Sequence, residues 1–85
     1  MRYQVIITRP ARQEMRKVSA LIRQRLEEAL DALADDPFPH GAERVKSYPD
    51  AHRIRVGDYR VIYTVVSKEI VILVLRIGHR REVYR

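Results

Sequence analysis

Apolar residues change their spacing twice along the chain, and each change predicts a change of element. Tyr3, Val5 and Ile7 alternate with Gln4, Ile6 and Thr8, the two-residue period of a short opening strand. Thr8 then offers a helix N-cap with Pro10 tolerated in the first turn, so residues 9–17 are predicted as a first, basic helix. Ser19 restarts the helical pattern. Ile22, Leu26, Ala29, Leu30 and Leu33 fall on one stripe, while Gln24, Glu27, Glu28 and Asp31 face water. This second helix is expected to run to about Asp35, where Asp36-Pro37-Phe38-Pro39 ends it. Proline lacks a backbone donor and pushes the preceding residue out of helical geometry. A loop through His40 and Gly41 follows.

From Arg44 onward the period is that of strands. His52, Arg53, Ile54, Arg55 and Val56 alternate, so Ile54 and Val56 point to one face and both arginines to the other. Gly57-Asp58 predicts a two-residue hairpin turn, with glycine supplying the positive φ of a type II′ turn. A strand over Tyr59–Val66 returns, Ser67-Lys68-Glu69 turns again, and Ile70–Ile77 is apolar enough to be a central strand covered on both sides. Gly78 is expected to end it, leaving a basic tail from His79 to Arg85. The pattern is α+β: an N-terminal strand and a helical hairpin packed on a mainly antiparallel, four-stranded twisted sheet, in one domain spanning residues 1–85.

The predicted hairpin register pairs Val56 with Tyr59, Arg55 with Arg60, Ile54 with Val61 and Arg53 with Ile62. Arg53, Arg55 and Arg60 then share one face, and Ile54, Val56, Tyr59, Val61, Tyr63 and Val65 form a core face beneath the helices. Like charges directly opposed across strands cost roughly 0.2–1 kcal/mol. Folding alone does not select such a pair, so the cluster points to an anion site. A solvated face with the arginines splayed apart is the competing reading.

Composition sharpens this picture. The 85 residues carry 17 Lys+Arg against 11 Asp+Glu, a net charge of +6, and 14 of the cations are arginine. Residues 1–43 hold seven basic and seven acidic side chains; residues 44–85 hold ten and four, so the whole excess lies in the strand-rich half. A cationic half predicts an anionic partner, with nucleic acid favoured over a membrane surface. With no cysteine and three scattered histidines, the chain is expected to use neither a disulfide scaffold nor a metal site, and no cofactor is called for. The opening apolar run is far too short for a signal peptide, and no stretch approaches the about 18 apolar residues of a membrane span, which predicts a cytoplasmic protein.

The segments Gly57-Asp58-Tyr59-Arg60-Val61-Ile62-Tyr63 and Ile77-Gly78-His79-Arg80-Arg81-Glu82-Val83-Tyr84 resemble the RelE branch of the RelE/ParE toxin superfamily, and the similarity spans essentially the whole chain. The resemblance implies a microbial-RNase-like α+β domain and a type II toxin that cleaves mRNA in the ribosomal A site. It also implies control by a cognate antitoxin. ParE-branch members inhibit DNA gyrase instead, so a gyrase-directed toxin is the alternative, with a non-catalytic RNA-binding relative as a third possibility.

RNA supplies its own nucleophile. A ribonuclease therefore needs a group to take the 2′-OH proton, cations to stabilise the charged phosphorane, and an acid for the departing 5′-oxygen. Arg53, Arg55 and Arg60 are assigned to the scissile phosphate. By resemblance, Arg80 is the C-terminal catalytic arginine and Tyr84 orients the nucleotide or moves the 2′ proton. Arg76, His79 and Arg81 are the substrate-binding candidates. Positions 53 and 55 are often lysine in the family, and arginine does not give up its proton in a protein, so proton transfer falls to Tyr84, with His79 and His52 as spare candidates. Weak acid-base groups would explain a need for the ribosome to pre-position the mRNA. Tyr3, Tyr59 and Tyr63 are expected to pack in or near the core, and Tyr48 is either a loop anchor or a nucleotide stacker.

Overall fold

The computed structural model describes residues 2–46 and 48–79. In chain order these form β1 (Gln4–Ile7), α1 (Arg9–Arg16), α2 (Ala20–Asp35), β2 (Glu43–Val45), β3 (Ala51–Val56), β4 (Tyr59–Val66) and β5 (Val71–His79). The five strands make one sheet in the order β1-β5-β4-β3-β2. Only the β1–β5 pair is parallel; the others are antiparallel.

The helical hairpin follows the apolar stripe read from the sequence. Ser19 caps α2, its hydroxyl accepting from the Ile22 N–H at 3.3 Å. Thr8 occupies the N-cap of α1 but makes no side-chain cap bond. Its hydroxyl instead lies 2.7 Å from the Val74 carbonyl and 3.3 Å from that of Leu75, tying the start of α1 to β5. Ala11 and Met15 of α1 join Leu26, Leu30 and Leu33 of α2 over one face of the sheet. The strands contribute Val61, Tyr63, Ile72, Val74 and Ile77 to the same cluster, with Ile54, Val56, Tyr59 and Val65 packed against it.

The hairpin register is the predicted one, with Val56↔Tyr59, Arg55↔Arg60, Ile54↔Val61 and Arg53↔Ile62. Gly57 has φ +61°, while Asp58 is not among the residues with positive φ, which agrees with a type II′ turn.

Three features differ from the sequence reading. The sheet has five strands rather than four, because β2 pairs with β3 through Glu43↔Arg53, Arg44↔His52 and Val45↔Ala51. Three residues with only Val45 buried leave no periodic signal to detect. The turn after β4 is a 3-10 turn over Ser67–Glu69 that delivers Ile70 in the left-handed region at φ 56°, a costly state for a β-branched residue. β5 then runs past Gly78 to His79 as an interior strand between β1 and β4. Its register against β4 shifts at Ile62/Tyr63, so Ile62 faces Arg76 and Tyr63 faces Val74, with Leu75 as the extra residue. Among the described residues no helix is long and apolar enough to cross a membrane.

Candidate nucleic-acid interface

The helices cover one face of the sheet and leave the other open. Because side chains alternate along a strand, every residue opposite Arg53, Arg55 or Arg60 shares their open face. Cross-strand pairing lines up Arg55, Arg60 and Gly78 in one row, and Arg53, Ile62 and Arg76 in the next. The bulge brings Arg76 into this set, since it restores the alternation one residue later on β5. Four arginines from three adjacent strands therefore occupy two neighbouring rows. Directly opposed Arg55 and Arg60 have Cβ atoms about 4.5–5.5 Å apart. A small hollow of about 90 Å³ at the hairpin tip is lined by Arg55, Gly57, Asp58, Tyr59 and Arg60.

A second apolar cluster supports the cations. Val45, Ala51 and Ile62 are buried on the open face, with Tyr48 and Leu75 packed against them. Tyr48 is thus an anchor for the β2–β3 loop. Ile62, within that cluster, lies between Arg53 and Arg76 in the cross-strand row.

Two carboxylates hold two of the four arginines. Arg53 donates to Glu43 Oε2 at 2.9 Å, across the β2–β3 pair, with the arginine side chain 19% exposed. Arg76 forms a bidentate pair with Glu14 of α1: Nε to Oε1 at 3.1 Å and Nη2 to Oε2 at 3.0 Å. This contact with Glu14 raises the Arg76 pKa above its usual value, against partial burial, with a smaller contribution from Tyr48. Arg55 is exposed and has no ion-pair partner among the described residues. Neither Glu14 nor Glu43 stood out in the sequence. Glu14 lies 62 positions from Arg76, and Glu43 belongs to a strand too short to be read.

Residues 5–84 match the family described as the ParE toxin of the type II toxin-antitoxin system, parDE. The chain belongs to this family and is a RelE-like toxin of the RelE/ParE superfamily. It is 30% identical over 78 residues to the mRNA interferase toxin RelE of Escherichia coli (strain K12), covering 87% of this chain and 81% of that one. Toxin RelG of Mycobacterium tuberculosis is 28% identical over 86 residues, covering 100% of this chain and 99% of that one. Among solved structures, the archaeal RelE-RelB complex from Pyrococcus horikoshii OT3 superposes with a TM-score of 0.83 at 30% identity, covering 96% of this chain and 99% of that one.

The remaining described candidates of the toxin lie on the helix side. His79 pairs with Tyr59, and the two rings meet edge-on at 5.8 Å on the helix side of the sheet. His52 is also on the helix side, between Phe38 at 5.0 Å and Tyr63 at 6.1 Å. Neither histidine accompanies the arginine rows, because each sits at the alternate position of its strand. Tyr63 is fully buried and its hydroxyl donates to the Pro37 carbonyl at 2.8 Å. Burial first, and Asp36 second, push its pKa up to about 12, so it is a core phenol. Arg80, Arg81 and Tyr84 lie outside the described residues.

Proposed function

We propose that this toxin is a ribosome-dependent mRNA endoribonuclease that works without a metal ion and is restrained by a cognate antitoxin. The observation that carries the reading is the pairing of Arg55 with Arg60 on a face shared with Arg53 and Arg76, in a chain 30% identical to a protein named an mRNA interferase toxin.

The arrangement suits one reaction. The 2′-oxygen of the nucleotide before the scissile bond attacks phosphorus as its proton is removed. Negative charge gathers on the phosphorane oxygens, and the bond to the 5′-oxygen breaks as that oxygen takes a proton. The products are a 2′,3′-cyclic or 3′-phosphate end and a 5′-hydroxyl. Arg55 and Arg60 meet the phosphorane, because guanidinium groups donate in pairs to phosphate oxygens and remain charged throughout. Arg53, fixed by Glu43, and Arg76, fixed by Glu14, widen the cationic track along the RNA backbone. Arg80 is assigned the role of the family's C-terminal catalytic arginine. The helix-side position of both His52 and His79 supports assigning proton transfer to Tyr84. Arg81 contributes a phosphate contact. His79 is left to the margin of the substrate path.

The archaeal relative was solved as a complex with RelB. An amphipathic, partly acidic antitoxin segment would neutralise the same arginines here. A cytoplasmic location follows from a ribosomal substrate.

Primer extension on mRNA paused with an open A site tests the reading. Native protein should create new 5′ ends within the A-site codon, and Arg80→Ala and Tyr84→Phe should abolish them. Intact transcripts with correctly folded native protein would overturn it. The family match to a ParE description favours gyrase as the second target, and gyrase-dependent DNA breaks would select it.

A further inference from the structure

β1 supports β5 only from Gln4↔Val71 to Ile7↔Val74. There the chain leaves the sheet through Thr8, so among the described residues the outer edge of β5 beyond Val74 has no neighbouring strand. The half of β5 that carries Arg76 and Gly78, and that leads directly to Arg80, would present open backbone donors. One side chain fills this gap. Glu14 Oε1 accepts the backbone N–H of Ile77 at 3.0 Å and Arg76 Nε at 3.1 Å, while Oε2 accepts Arg76 Nη2 at 3.0 Å. A single carboxylate thus replaces a missing strand and fixes a guanidinium. Both partners are largely covered, with Glu14 24% and Arg76 35% exposed, so the contact is shielded from screening.

We infer that Glu14 is a positioning residue for the toxin's chemistry: it holds the C-terminal half of β5 in register with β4 and aims Arg76. This inference rests on the nuclease reading. Two consequences follow from the geometry. Gly78 stays opposite Arg60 only while β5 keeps its shifted register after the bulge. Arg76 stays in the row of Arg53 and Ile62 only under the same condition. Glu14 touches no reacting atom, and its effect is expected mainly on the rate of the chemical step at saturating substrate.

The test compares native toxin with Glu14→Gln and Glu14→Ala. Glutamine keeps an acceptor for Ile77 N–H and loses the charge that holds Arg76; alanine loses both. Single-turnover cleavage on saturating A-site-programmed ribosomes should fall roughly 10- to 100-fold, more for alanine, because small displacements of reacting groups have effects of that size. Ribosome affinity should change much less than the rate, and amide hydrogen exchange at Ile77 should accelerate in Glu14→Ala.

Equal rates for native protein and both variants overturn the inference. So does a loss confined to ribosome affinity, or one that tracks melting temperature while the folded fraction cleaves at the native rate. Native protein that leaves A-site mRNA intact removes the nuclease reading and the positioning role of Glu14 together. Active native protein with indifferent Glu14 variants removes only this inference.

Discussion

The two faces of one sheet are built from alternate residues of the same strands, yet they serve opposite ends. On the helix side, Ile54, Val61, Tyr63, Ile72, Val74 and Ile77 meet Leu26, Leu30 and Leu33, and this face holds most of the core. On the open side, the same strands present Arg53, Arg55, Arg60 and Arg76 around a much smaller cluster of Val45, Ala51 and Ile62. The lesson is that a domain of 85 residues separates stability from charge by the two-residue period of a strand. Substitutions on the helix face should therefore change folding first, and those on the open face should change RNA chemistry first.

The largest expected effect breaks the helix face. Ile72→Ala, at a fully buried position, should destabilise the toxin by about 2–5 kcal/mol, read from urea unfolding, while the folded fraction keeps its cleavage rate. Arg60→Ala on the open face should do the reverse. Single-turnover cleavage is expected to fall about 100- to 1000-fold, the scale of losing one charge-stabilising donor, with little change in melting temperature. A large loss of stability there, with the rate preserved, would erase the contrast between the faces.

A third measurement isolates the helix face by pH. The Tyr63 phenol is raised to about 12 in the folded state from an ordinary value of 10. The folded chain therefore holds a proton that the unfolded chain releases between these values. Stability from this group is fully present below pH 10 and lost as pH rises toward 12, by up to about 2–3 kcal/mol. Tyr63→Phe should remove that component of the alkaline unfolding curve, and an unaltered curve would assign the loss elsewhere. The smallest effect sharpens the open face. Arg55→Met should stabilise the fold by roughly 0.2–1 kcal/mol by relieving the opposed cations, while reducing cleavage. Thermal melts and the A-site assay on the same preparation check both signs.

Much of this division was legible before the fold was known. The alternation in residues 52–56 and the Gly57-Asp58 turn specified the hairpin register, and with it the shared face of Arg53, Arg55 and Arg60. The stripe from Ile22 to Leu33 specified which side of α2 is buried. What escaped was non-local or too short to leave a pattern. β2 has three residues, the bulge at Ile62/Tyr63 has no glycine to mark it, and the faces of Arg76 and His79 depend on that bulge. Arg76 consequently belongs to the arginine rows, whereas His79, three residues later, lies with Tyr59 on the helix side.

By itself the sequence determined the two helices, the longer strands, the hairpin register and the sign of the open face, because these follow from local periodicity, turn chemistry and charge. Tertiary structure alone decided that β1 runs parallel to β5, that Glu43 and Glu14 hold Arg53 and Arg76, and that Glu14 stands in for a strand beside Ile77. Those contacts join residues distant in the chain. Their formation depends on where β1 stops and how α1 crosses the edge of the sheet, neither of which a periodicity encodes.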